Sequence, residues 1–200
     1  MDLVLFYSSR NCPLKSAVGL LVLVFVCGLL VPAAVSANEA ADRRIQISLP
    51  IFPRIVAVDL GFQKKLLPKD KVLLIFLYET DKANAMKLVE LLKDKLSNVA
   101  GFKFTARAVS VRDQLAGTAA VPTAMYLAEH FAEQTFMSVL EYSVTQHRIL
   151  FSPFAGDVER GATAGISITS RVKPFFNIKT LKRADITINP VLLKLSKRHE

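Results

Sequence analysis

The chain has 200 residues, with 26 Lys and Arg against 17 Asp and Glu, a net charge of +9, 52% apolar residues and two cysteines. That length and apolar content suit one domain with a real core and exclude a disordered chain, while 8 Gly and 9 Pro exclude a collagen-like or low-complexity one. Two cysteines cannot staple a disulfide-dense miniprotein, and three histidines, His130, His147 and His199, are too scattered for an evident metal cage.

Arg10 and Lys15 precede an uncharged run, Ala17 to Val31, followed by Pro32 and the small-residue stretch Ala33-Ala-Val-Ser-Ala37. This is a secretory signal pattern over residues 1–37, with Val35 and Ala37 at the −3 and −1 positions of a cleavage site that leaves Asn38 as the new N-terminus. The same uncharged stretch could span a bilayer, so an uncleaved inner-membrane anchor is the alternative. Cys27 follows Val26, which is no lipoprotein cleavage pattern. Both cysteines, Cys12 and Cys27, depart with the leader, and with them Arg10, Lys15 and Asp2, which lowers the net charge by one. The expected exported body, residues 38–200, is a single cysteine-free basic domain in the periplasm.

Within that body the segment Ile45 to Leu60 is apolar and interrupted by Pro50 and Pro53, and a short helix is expected over residues 52–58. Val72-Leu-Leu-Ile-Phe-Leu-Tyr78 is an unbroken apolar run of strand length, the mark of a strand covered on both faces. Glu79-Thr-Asp81 offers caps for a helix over residues 82–97, whose Ala85, Leu88, Val89, Leu92 and Leu96 recur at helical spacing. Phe102 to Val109 alternates apolar and polar residues as a strand with one wetter face does. Val121 to Leu127 gives a third strand, residues 129–145 a second amphipathic helix, and Arg148 to Ser152 a fourth strand. Strands alternating with helices imply right-handed βαβ units and a mostly parallel α/β sheet with flanking helices.

The last quarter changes character. Residues 162–169 and 172–178 are β-type runs separated by Ser170-Arg171, which predicts a hairpin. A short helix follows Asn177, and a final one begins at Asn189-Pro190, a capping residue ahead of a proline in the first helical position. There Leu192, Leu193 and Leu195 are available to the core, and His199 lies in a tail beyond the fold.

No Ser sits in a Gly-x-Ser-x-Gly elbow and the exported body lacks cysteine, so no activated nucleophile is evident. Gly156-Asp-Val-Glu-Arg-Gly161 has the glycine spacing of a phosphate loop without its Lys and Ser/Thr. It reads as a turn with a short helical piece in which Asp157 and Glu159 cap or pair with Arg160. His130 and His147 read as solvated. Open parallel sheets collect ligands beyond the carboxyl ends of their strands, which singles out Tyr78, Glu79, Asp81, Arg112, His130 and Ser152 as a candidate ligand or partner site. Basic residues concentrate at Lys64, Lys65, Lys69 and Lys71, and again at Arg171, Lys173, Lys179, Lys182, Arg183, Lys194, Lys197 and Arg198. With no aromatic-interleaved motif, an exported protein of this charge suits an anionic membrane surface or an acidic protein, not nucleic acid.

Three stretches carry a family likeness: Leu150-Phe-Ser-Pro-Phe-Ala-Gly-Asp-Val-Glu-Arg-Gly-Ala-Thr-Ala-Gly-Ile-Ser-Ile168, then Lys173-Pro-Phe-Phe-Asn-Ile-Lys-Thr-Leu-Lys-Arg-Ala184, and Ile188-Asn-Pro-Val-Leu-Leu-Lys-Leu-Ser196. They resemble the closing signature of the YfiR-like periplasmic proteins, with Gly161, Gly165, Asn177, Asn189 and Pro190 as its structural positions. The resemblance is specific from about residue 148 onward and extends, in order of elements only, over residues 45–198. It implies an α/β domain without enzymatic activity or cofactor. It further implies a regulator that binds the periplasmic part of an inner-membrane diguanylate cyclase and holds it inactive, with release by an outer-membrane lipoprotein partner and a homodimer as a further option. Disulfide-linked redox sensing is not implied for a cysteine-free body. A small periplasmic solute-binding module is the competing expectation.

Overall fold

A computed structural model describes residues 32–93, 96 and 102–200. The chain divides into two compact units, Met1–Ala40 and Ala41–Glu200. The apolar stretch of the expected leader, Ala17 to Val31, lies outside the described residues. Among the described residues no helix is long and apolar enough to cross a membrane. Helix α1 (Pro32–Ser48), which the sequence pattern does not announce, continues into the second unit.

The second unit is built on one seven-stranded sheet in the order β2-β1-β3-β4-β5-β6-β7. Its elements in chain order begin with α2 (Phe52–Ala57), a single 3₁₀ turn (Phe62–Lys65), β1 (Lys71–Tyr78), α3 (Lys82–Lys93) and β2 (Lys103–Ser110). They continue with α4 (Val111–Leu115), β3 (Ala124–Leu127), α5 (Glu133–Thr145), β4 (Ile149–Ser152), α6 (Asp157–Arg160) and β5 (Ala164–Ile168). β6 (Val172–Asn177), α7 (Ile178–Arg183), α8 (Pro190–Leu195) and β7 (Lys197–His199) complete the unit. The first five strands run parallel, β5 and β6 form the predicted antiparallel hairpin with Ile168 opposite Val172, and β7 lies parallel to β6. The α/β class with a mostly parallel sheet and flanking helices is therefore the observed one.

β1 is central because Val72 to Leu77 are buried without interruption, which only a strand covered on both faces tolerates. From β1 the chain moves outward to β2 and then returns across β1 to β3, so the direction of winding reverses between β1 and β3. That reversal is the topological switch point, where the loops after two neighbouring strands diverge and leave a crevice. One face of the sheet buries an aromatic cluster of Phe52, Phe76, Tyr126 and Phe151, with Tyr126 centred 4.8 Å from Phe76 and 5.4 Å from Phe151. Burial pushes the Tyr126 hydroxyl pKa up, and its oxygen lies 2.7 Å from Ser48 Oγ, which ties α1 to the sheet. The other face packs Leu73, Ile75, Leu77, Met125 and Leu127 under Phe136, Val139 and Leu140 of α5.

The signature positions are structural. Gly161 has φ 132°, and a Cβ there would stand 2.7 Å from Leu140 Cδ2. A Cβ on Gly165 would meet the Ser152 carbonyl oxygen at 2.6 Å and Val158 Cγ2 at 2.7 Å, so glycine alone lets β5 lie this close to β4 and α6. Asn177 Oδ1 accepts the Thr180 N–H at 3.0 Å and caps α7, while Asn189 Oδ1 accepts the Val191 N–H at 2.9 Å, with Pro190 opening α8.

Four expectations need correction. Helix α5 starts at Glu133, four residues late, because Ala132 is extended (ψ 156°) and Glu129 is engaged elsewhere. Leu195 does not reach the core: α8 has no buried residue, and Leu195 is 66% exposed. Residues 197–199 form β7, so His199 belongs to the sheet. Lys65 is not part of a solvated basic surface, since it is buried in an ion pair with Asp59, Nζ to Oδ2 2.5 Å. Helix α3 is observed from the predicted start to Lys93, and most of its predicted last turn falls outside the described residues.

Candidate functional site at the carboxyl edge of the sheet

The six candidate residues lie along one edge but do not form one site. Tyr78 and Glu79, at the end of β1, and Arg112, in α4 just past β2, line a cavity of about 290 Å³ together with Ser110, Leu115, Gln134 and Ser138. α4 is placed there by Ser110, whose Oγ accepts the Asp113 N–H at 3.0 Å. Thr135 of α5 donates from Oγ1 to Glu79 Oε1 at 2.9 Å and fixes the wall between α5 and β1. Arg112 is exposed and makes no ion pair among the described residues.

Asp81 stands outside this cavity. Its Oδ1 accepts the Asn84 N–H at 2.8 Å, which starts α3. The β1–α3 loop is organised by a residue 48 to 50 positions later, Glu129, at the end of β3. Its Oε1 accepts the N–H groups of Glu79, of Thr80 at 2.7 Å and of Asp81 at 3.3 Å, and its Oε2 accepts the Thr80 hydroxyl at 2.6 Å. These are the convergent N–H groups of the switch point, where an α/β sheet ordinarily receives an anionic ligand. Here the protein's own carboxylate fills them. Partial burial pushes the Glu129 pKa up, but the bonds from Thr80, Glu79 and Asp81 outweigh it and hold the carboxyl below the usual range.

His130 and Ser152 belong to a second group centred on Asp157. Ser152, fully buried at the end of β4, donates from Oγ to Asp157 Oδ2 at 2.6 Å and accepts the Phe154 N–H at 3.1 Å. Arg160 Nη1 donates to Asp157 Oδ1 at 2.9 Å, while Arg160 Nε and Nη2 both reach Glu133 Oε2, at 3.1 and 2.6 Å. The same guanidinium lies 4.2 Å over the Phe136 ring. His130 is exposed, its Nε2 3.6 Å from Asp157 Oδ1, on the oxygen that does not hold Ser152. The serine proton thus goes directly to a buried carboxylate and not to an imidazole, an arrangement that braces α6 against β4. Gly156-to-Gly161 is, as expected, a turn carrying one short helix in which Asp157 pairs with Arg160.

The strand-end rule singles out Asp81 and His130 and passes over Glu129, the residue before His130 that organises the loop leading to Asp81. Its only local signal was a carboxylate following an apolar strand. His147, expected to be solvated, is exposed with φ 55° and has Nδ1 2.9 Å from the Ala184 carbonyl.

No family profile matches the sequence, and no curated protein matches it. Solved structures do. A domain from Streptococcus pneumonia, described as the ABC domain in complex with L-Trp, superposes with a TM-score of 0.51 at 18% identity over 73% of this chain. A conserved domain protein from Vibrio cholerae (TM-score 0.49, 17% identity, 68% of this chain) shows a weaker likeness. So does the ligand-free, open form of a substrate-binding protein with adhesive properties from Clostridium difficile (TM-score 0.49, 16% identity, 70% of this chain). The chain spans 60%, 57% and 58% of the length of these three proteins. At such identity the first likeness shows the α/β fold.

Proposed function

We propose that the protein is an exported, non-enzymatic signalling regulator that binds the periplasmic part of an inner-membrane signalling protein such as a diguanylate cyclase. The observation that carries this reading is the closed state of the strand ends: Glu129 occupies the switch-point N–H groups and Asp157 occupies the Ser152 hydroxyl. What remains open to a partner is the shelf of Tyr78, Glu79 and Arg112, with an exposed guanidinium of the kind that anchors protein interfaces. The resemblance of residues 150–196 to the YfiR-like closing signature supports the same class of partner. Affinity capture of the tagged chain from membranes recovers such a cyclase, Arg112→Glu releases it, and deletion of the gene raises cyclic-di-GMP. Recovery of no cyclase or kinase, together with unchanged cyclic-di-GMP, overturns the proposal.

The cavity itself favours a second reading, a small solute-binding module. Its volume of about 290 Å³ admits a ligand of amino-acid size, and the Streptococcus pneumonia domain was solved with L-Trp. A thermal-shift screen beginning with amino acids then finds a stabilising ligand whose effect Arg112→Ala removes, because a ligand bound only by the native state raises its melting temperature. A screen in which no ligand shifts the wild type ends this reading.

A further inference from the structure

The far end of the sheet from the switch point carries a face that the proposed function does not use. Ile168 and Val172 are opposite each other at the tip of the β5–β6 hairpin, 38% and 42% exposed, although both are β-branched aliphatics. On α8, Val191 and Leu195 stand one turn apart on the same side of the helix, 68% and 66% exposed. β7 runs parallel to β6 with Lys197 beside Phe175, so the chain that leaves α8 joins the sheet beside β6, the strand whose first residue, Val172, stands at the hairpin tip.

Cations frame both projections. Arg171 and Lys173 adjoin the hairpin tip, and Lys194 lies between Val191 and Leu195; all three are exposed and none makes an ion pair among the described residues. Lys197 is held over the Phe175 ring at 4.2 Å and reaches only Glu159, at 3.8 Å. The composition selects the occupant. A protein interface of this size centres on aromatic residues and arginine and is depleted in lysine, whereas this face has protruding aliphatics, no exposed aromatic ring and mainly lysine. Aliphatic tips that enter the acyl boundary, within a ring of lysines at headgroup level, are the chemistry of an interface with anionic lipid.

We infer that the β5–β6 hairpin tip and α8 dock on the surface of an anionic phospholipid bilayer. This goes beyond the regulatory reading and does not depend on it. The test measures partition of the full chain onto vesicles of phosphatidylglycerol and phosphatidylcholine against vesicles of phosphatidylcholine alone. Both meet the same N-terminal segment, whose Arg10 and Lys15 also favour anionic lipid, so the part of the difference that belongs to this face is read from the variants below. Stronger partition onto the anionic vesicles is expected, weakening as salt rises.

K173Q/K194Q lowers the anionic increment by about fivefold per cation, or about 25-fold for the pair. K82Q/K87Q, which makes the same charge change on exposed residues of α3, leaves the increment intact. V172S/L195S lowers partition onto anionic vesicles while the salt dependence persists. Equal partition onto both vesicles overturns the inference, as does an equal loss from K82Q/K87Q. If polyglutamate is bound in place of vesicles, the face belongs to an acidic protein. A sedimenting dimer dissolved by V172S/L195S assigns it to a second copy. Either result also overturns the inference.

Discussion

Two carboxylates sit on the same edge of the same sheet and do opposite work. Glu129 is half-buried at the switch point and accepts backbone N–H groups of a loop; Asp157 is fully buried at the end of the neighbouring strand β4 and accepts a buried hydroxyl and a guanidinium. The loop groups around Glu129 can turn to water if it leaves. The Ser152 hydroxyl at Asp157 cannot, because Ser152 is fully buried, while Arg160 keeps its bonds to Glu133. The cost of losing an acceptor depends on whether water can replace it, so Glu129 governs a local loop and Asp157 the stability of the whole unit.

The comparison breaks most visibly at Asp157. Asp157→Ala leaves the buried Ser152 hydroxyl without its acceptor and removes one of the two carboxylates that Arg160 pairs with, and is expected to cost about 3 kcal/mol, read from the midpoint of urea unfolding. Glu129→Gln keeps one acceptor oxygen and is expected to cost about 1 kcal/mol. Its main effect is local: amide hydrogen exchange at Thr80 and Asp81 accelerates while the core strands are unchanged. Equal costs for the two changes, or equal acceleration across the sheet, erase the distinction. Gly165→Ala sharpens it from the packing side, since the added Cβ presses on the Ser152 carbonyl and on Val158, the residue after Asp157. An overpacking cost of about 2 kcal/mol is expected, with no change in exchange at the β1–α3 loop.

How far the sequence foretold each region follows from the range of the interactions. β1 was legible because six consecutive apolar residues admit only a doubly covered strand, and α7 and α8 because Asn177 and Asn189-Pro190 act on N–H groups within three residues of themselves. Gly161 and Gly165 were singled out only as structural positions of the family likeness, and the close approach that rejects a side chain at each belongs to the fold. Glu129 was not, since its partners lie about 50 residues earlier and meet it only when β3 takes its place beside β1. The same is true of Lys65, whose burial depends on Asp59, and of Leu195, whose helical spacing suits a core that α8 only skirts. Of the six candidate residues, three share a cavity. Ser152, Asp81 and His130 were placed at the right edge by topology and given different tasks by contacts that no spacing encodes.

Acid titration separates the two carboxylates most finely. The carboxyl of Glu129 is held below its ordinary value of 4.5 by the four bonds it accepts, so near that value the unfolded chain binds more protons than the folded one. Stability from Glu129 is therefore complete above pH ~4.5 and is lost as the pH falls through the lower folded value. In Glu129→Gln that contribution is absent at every pH. The stability difference between wild type and Glu129→Gln should accordingly be flat from neutral pH down to about pH 5 and shrink below it, as measured by urea unfolding at a series of pH values. A difference that stays constant to pH ~3 means that the loop N–H groups do not stabilise the charged form, and the switch point is then not filled by the protein's own anion.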